Sequence, residues 1–221
     1  MIRLLRRPKA LATGLRQRPD ADRAARGQGL VEFAALVPFF TFLLLGLLEF
    51  GLAFDHTLVL SYASREGART GAALANGGGP LGCGSGQSPN AATVDPLIIA
   101  AVERVLTSPG SPIVLSRIAE IRIFQATASG GEVSGKVNVW TYAAGAGPVV
   151  DGKALDFKPT TTGWLACSRS NALPPDSLGV SVRYTYQFIT PLGSVAGFFG
   201  GGLGPNLTIS DRTVMALNPT T

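Results

Sequence analysis

Gly27-Gln28-Gly29-Leu30-Val31-Glu32-Phe33 opens a stretch that runs through an apolar block to Phe54 and continues, as a small-residue and mildly polar segment, to Ala75. Leu30 to Phe54 is 25 residues, and a helix of that length rises roughly 37 Å at about 1.5 Å per residue, more than the ~30 Å hydrocarbon core of a bilayer. The apolar core of a cleaved secretory signal is much shorter, about 7–15 residues. Retention as a transmembrane helix over residues 28–54 is therefore expected, with an extracytoplasmic continuation of the helix over 55–76.

What precedes this stretch is basic. Residues 1–27 hold eight of the chain's 19 Lys and Arg residues and two of its 14 acidic ones, which leaves 11 basic and 12 acidic groups over residues 28–221. The formal charge of +5 thus belongs to a leader and gives no nucleic-acid footprint on the rest. Cationic residues before the span, with Asp55 and His56 just after it, place the N-terminus in the cytoplasm by the positive-inside rule. Residues 77–221 then form an extracytoplasmic globular domain, held to the cytoplasmic (inner) membrane by a single pass.

Two carboxylates sit in the apolar helix, where an ionisable group at the bilayer centre costs about 2.5–3.5 kcal/mol by insertion scales. Glu32 and Glu49 are 17 residues apart, roughly 26 Å of rise, so each lies near one membrane face. They also point about 100° apart and so meet different partners. Glu49 reads as a membrane-edge carboxylate that either snorkels to the head groups or pairs with a neighbouring helix. Pro38, between them, should loosen or kink the helix.

Gly27 followed by four residues and then Glu32-Phe33, at the head of an apolar helix behind a basic leader, resembles the processing site of type IV-like prepilins. The longer string Gly27 to Ala34, with Leu48-Glu49-Phe50-Gly51 and Ala63-Ser64-Arg65-Glu66-Gly67-Ala68-Arg69, resembles the TadE-like minor pilins, or pseudopilins, of the tight-adherence (Tad/Flp) pilus system. The resemblance covers about residues 27–75. It implies that a prepilin peptidase cuts between Gly27 and Gln28, and that Glu32 compensates the freed amine of an adjacent subunit during assembly. It also implies membrane lipid, other pilins and the Tad assembly platform as partners. The leader is long, Gly29 offers a competing small residue, and Phe33 stands where many major pilins have Tyr.

Ala63, Gly67, Gly71 and Ala75 recur every four residues and line one helix face with small side chains. That face packs either on the chain's own sheet or on another pilin helix. Asn76-Gly77-Gly78-Gly79-Pro80 stops the helix. Cys83 and Cys167, the only cysteines, read as a disulfide in an exported domain or as two unrelated thiols. A short helix is expected from Asp95-Pro96 to Leu106, with Asp95 as its cap and Leu97, Ala101 and Val105 on one stripe. Strand-like alternation follows over 117–126, 133–142, 180–188 and 207–217, with 160–175 irregular. The fold class is α+β and pilin-like: a long N-terminal helix on an antiparallel sheet of about four strands, plus one short helix.

Catalytic signals are few. His56 is the only histidine and is expected at the membrane edge, which disfavours a histidine triad or a His/Cys metal site. Gly130 to Val137 imitates a phosphate loop but ends in Val137 and leads into strand alternation. No cofactor and no small-molecule substrate are implied. Phe198-Phe199, in the glycine-rich stretch 193–205, reads as a mobile loop or a contact site. The expectation is a structural assembly protein, not an enzyme; the alternative is an uncleaved single-pass membrane-anchored extracytoplasmic binding domain.

Overall fold

The computed structural model describes residues 19–74, 91–191 and 206–218. Most of the basic leader, Ala75, Cys83 and the Phe198-Phe199 loop lie outside the described residues. The chain divides into two compact units, one up to Leu44 and one from Leu45 onward.

In the first unit, the described residues belong to α1, the helix Pro19–Leu74. Every residue from 27 to 44 is exposed. Pro38 lies inside α1 and does not end it.

In the second unit, the rest of α1 and a second helix, α2 (Val94–Leu106), supply apolar faces to one sheet. The sheet order is β5 (Phe157–Thr162), β2 (Glu132–Tyr142), β1 (Ile118–Ala126), β6 (Ser177–Gln187), β7 (Asn206–Ala216), all antiparallel. Leu60, Ala63 and Ala68 of α1, and Ile98, Ile99, Val102 and Leu106 of α2, share a core with Ile121, Ile123, Val180, Val182 and Tyr184. The alternating buried positions of β6, with Val180, Val182, Tyr184 and Tyr186 inward, are the period-two pattern of a sheet covered on one face.

The α+β class stands, with five strands instead of about four. The extra strand, β5, falls partly in the stretch read as irregular. It is an edge strand carrying Pro159, and only its first residue is buried. Proline is tolerated at an edge because one side of the strand needs no ladder donors, and the same proline hides the strand from sequence patterning. A two-stranded hairpin, β3 (Val149–Val150) and β4 (Lys153–Ala154), was also unexpected. Its turn is Asp151-Gly152, with φ of 50° and 79°, the left-handed pair that a two-residue type I′ turn demands.

Two details of α2 differ from expectation. The helix starts at Val94, and the Asp95 carboxylate accepts hydrogen bonds from Asn138 Nδ2 at 2.6 Å and Arg169 Nη2 at 2.5 Å. Asp95 therefore links α2 to the domain interior in place of capping the helix. The buried stripe runs through Val94, Ile98, Val102 and Leu106; of the expected stripe Ala101 is buried, while Leu97 and Val105 are only half-buried. Apolar residues fill 97–102 without a break, so periodicity could not fix which face turns inward. The phosphate-loop look-alike is the β1–β2 connection and the start of β2, with Gly130 N–H donating to Thr127 O at 2.8 Å.

Candidate membrane anchor and processing segment

Residues 27–48 are the start of the one helix among those described that is long and apolar enough to cross a membrane. The defining window has a mean hydropathy of 2.2, and none of it is buried. Leu30, Phe33, Phe39, Phe40 and Leu44 all face outward. Exposed apolar surface on this scale marks an interaction surface in a soluble chain, or contact with lipid.

At the head of this segment, a Cβ added at Gly27 or Gly29 would meet nothing within 4 Å. Both glycines are thus unhindered along the helix surface. Gln28 Nε2 donates to Glu32 Oε1 at 3.1 Å, one turn along, and Glu32 is exposed. The two residues of the expected cut and the expected amine-pairing carboxylate therefore lie together on an open stretch of helix.

Glu49 is the residue whose position departs furthest from the reading of the sequence. It neither snorkels nor awaits another helix: it is 3 % exposed and closed by the far end of β6. Tyr186 Oη donates to its Oε1 at 2.6 Å, Ile189 N–H to the same oxygen at 2.9 Å, and Thr190 N–H to Oε2 at 3.0 Å. Three donors on one carboxylate replace much of the hydration lost on burial. Tyr186, buried and bonded to that carboxylate, has its phenol pKa raised above the usual value, burial being the larger cause.

His56 follows Glu49 by two turns and is buried as well, not held at an open membrane edge. Its Nδ1 donates to Leu52 O at 2.8 Å, and its ring packs 5.4 Å from Tyr184 and 5.0 Å from Tyr186. One turn beyond Leu60, Ser64 meets Asp211 and Thr213 of β7, bonding the latter at 2.9 Å. Sequence reasoning missed Tyr186, Asp211 and Thr213. Their partners are more than 130 residues away in the chain, and nothing local signals the pairing.

The small-residue face is turned to the chain's own sheet and second helix. A Cβ at Gly67 would lie 2.6 Å from Val102 Cγ2 and 3.2 Å from Val180 Cγ1; one at Gly71 would lie 2.9 Å from Ile98 Cδ1 and Leu178 Cδ2. Ala63 is fully buried. Glycine at 67 and 71 lets α1 approach β6 and α2 closely. Arg69 forks onto Glu66 at 2.7 and 3.0 Å, and those bonds hold the Glu66 carboxyl below its usual pKa.

Cys167 is disulfide-bonded. Near it, Arg169 is fully buried, with its guanidinium 4.6 Å over the Trp164 ring and Nη2 shared between Asp95 and Trp164 O. Asn138 completes the group, donating to Asp95 and Trp164 O and accepting from Trp164 N–H. This polar knot ties α2, β2 and the segment after β5 together. Among the described residues, no group of three or more His, Cys, Asp or Glu side chains is placed to hold a metal ion.

A helix able to serve as a single-pass membrane anchor, leading directly into an α+β domain closed over Glu49, defines a membrane-anchored domain protein. Residues 27–69 match the family model of TadE-like proteins. Over that stretch the chain is TadE-like, which relates it to the Tad pilus system. No curated protein and no solved structure matches the chain.

Proposed function

We infer that the chain is a minor pilin or pseudopilin that takes part in assembling a Tad/Flp-type pilus, a structure for adhesion and surface attachment. The observation that carries this reading is the coincidence of the TadE-like match with the exposed apolar helix: residues 27–69 begin at the expected cut and end on the stretch of α1 that packs on the domain core through Gly67 and Ala68. A prepilin peptidase cleaves between Gly27 and Gln28, and Glu32 pairs with the new amine of a neighbouring subunit. An ammonium and a carboxylate within an apolar bundle are tolerated as a pair and costly apart.

The span is residues 28–48. These 21 residues rise about 31 Å, enough for the ~30 Å hydrocarbon core, and Glu49 is the first residue sealed by the domain. The N-terminus is cytoplasmic and the domain extracytoplasmic at the inner membrane, anchored in lipid beside the assembly platform. Cys83 is the disulfide partner of Cys167.

The test is incorporation. A tagged chain co-expressed with a prepilin peptidase and the remaining components of a Tad system should appear in sheared filaments or in the detergent-extracted assembly complex. Gly27→Val should leave it full-length in the membrane and absent from both. Glu32→Ala should be shortened normally but fail to be incorporated. Normal incorporation of Gly27→Val would contradict the reading.

A further inference from the structure

The two edges of the five-stranded sheet are unlike. β5, at one edge, is six residues long and carries Lys158 and Pro159, devices that keep an edge from pairing with a foreign strand. β7, at the other, is eleven residues long and has neither proline nor lysine. It pairs with β6 over its whole length without a shift in register, whereas the other three pairs in this sheet each contain one. Its second side is a straight row of backbone donors and acceptors, and among the described residues no strand occupies it.

The side chains along β7 define what kind of strand fits. On the face covered by the helices, Leu207 is 37 % exposed and Met215 half-buried, on either side of the buried Ile209. A strand added there covers them with its own alternate residues. On the outer face, two rows cross the sheet: Glu120, Arg183, Ser210 and Arg122, Ser181, Arg212. Arg183 is paired with Glu120, and Arg122 with Glu120 and Glu132. Arg212 ends its row at the open edge, exposed and, among the described residues, without an ion pair.

A second copy does not supply the missing charge. An antiparallel two-fold pairing of β7 with its equivalent sets outward residues against outward residues. That set, Asn206, Thr208, Ser210, Arg212, Val214 and Ala216, holds no carboxylate. Asp211 belongs to the other face, where it is bonded to Ser64.

We propose that the free edge of β7 takes a sixth strand from a different protein of the pilus system. The strand is an extended segment, apolar at alternate positions beside Leu207, Ile209 and Met215, with a carboxylate opposite Arg212. Main-chain hydrogen bonds supply the affinity of such an addition, and the alternate side chains its selectivity. The source of the strand rests on the pilin reading above.

The test uses the full chain, co-expressed with the remaining components of a Tad system and carrying the photoreactive residue benzoylphenylalanine at position 210. Irradiation should join it to one Tad component, at a segment that mass spectrometry maps beside an Asp or Glu. Arg212→Glu should lower the yield about tenfold, since like charges then face each other, and Lys at the mapped acidic residue should restore it. Arg212→Ala, which adds no charge, should lower the yield about threefold. The same probe at position 158 of β5 should give no such product. Adducts to a second copy or to lipid alone, no adduct from a chain that is present in sheared filaments, or a yield indifferent to Arg212 would overturn the strand addition and leave the pilin reading standing. A chain absent from both filaments and assembly complex would remove that reading and the proposal with it.

Discussion

Tyr186 donates its phenolic hydrogen to Glu49 across 2.6 Å, between residues 137 positions apart in the chain. This bond and two backbone N–H groups tie α1 at Glu49 to the far end of β6 and the residues after it. A hydrogen bond to a buried charged group contributes about 1.5–3 kcal/mol. Tyr186→Phe should lower stability by that amount in urea unfolding of the detergent-solubilised full chain. In a Glu49→Gln background the same change should cost clearly less, since the two groups are coupled. Equal losses in both backgrounds would mean that the bond contributes nothing.

The raised pKa of Tyr186 sets a pH dependence. The folded chain favours the neutral phenol, so its contribution is fully present below the ordinary tyrosine value of about 10 and is lost as pH rises beyond it. Stability followed from pH 8 to pH 11.5 should fall above pH 10. Tyr186→Phe should flatten part of that fall.

Gly67 and Gly71 should respond differently to alanine. Replacing a mid-helix glycine gains about 0.8–1 kcal/mol in propensity, while overpacking costs about 1–3 kcal/mol. At Gly67 the new Cβ meets Val102 Cγ2 at 2.6 Å, a methyl on a stiff β-branched side chain, so the clash prevails and stability falls by roughly 1–2 kcal/mol. At Gly71 the contacts are the Cδ ends of Ile98 and Leu178 at 2.9 Å; these can shift, and Gly71→Ala should lie within about 1 kcal/mol of wild type. Paired thermal melts of the two variants read the contrast.

Among the described residues, Asp95 is the only carboxylate bonded to the fully buried Arg169. Removing one partner of a buried ion pair costs about 3–5 kcal/mol because the other charge stays buried. Asp95→Ala should approach global unfolding. The double change Asp95→Ala with Arg169→Met should recover much of the loss. Failure to recover would place the cost in the Asn138 bond instead.

The Cys83–Cys167 pairing predicts an unchanged mass after alkylation in denaturant without reductant, and two added labels once reductant is present. In the chain-entropy view, a loop this long is stabilised by about 4–5 kcal/mol, and the transition midpoint should drop on reduction. Two labels without reductant would exclude the bridge.

How much of this could be read from residues alone follows from the range of each interaction. The anchor was legible because hydropathy and length are local properties, and four strands were legible because alternation within each is local too. β5 was not, since Pro159 and its exposed face erase alternation. Of the expected α2 stripe only Ala101 is buried, because 97–102 is apolar throughout and sets no phase. Glu49 could be singled out as a carboxylate in need of a partner, but Tyr186, Ile189 and Thr190 reach it only after the whole sheet has formed. The polar knot of Asp95, Asn138 and Arg169 carries no sequence signature, since its members lie on separate elements.

The measurement that bears most directly on the account is the N-terminal residue of the chain recovered from membranes containing an active prepilin peptidase, read by intact mass and terminal sequencing. The account predicts a chain beginning at Gln28, without the basic leader and with the disulfide intact. A chain that still begins at Met1, while a known prepilin in the same membranes is fully processed, would contradict it.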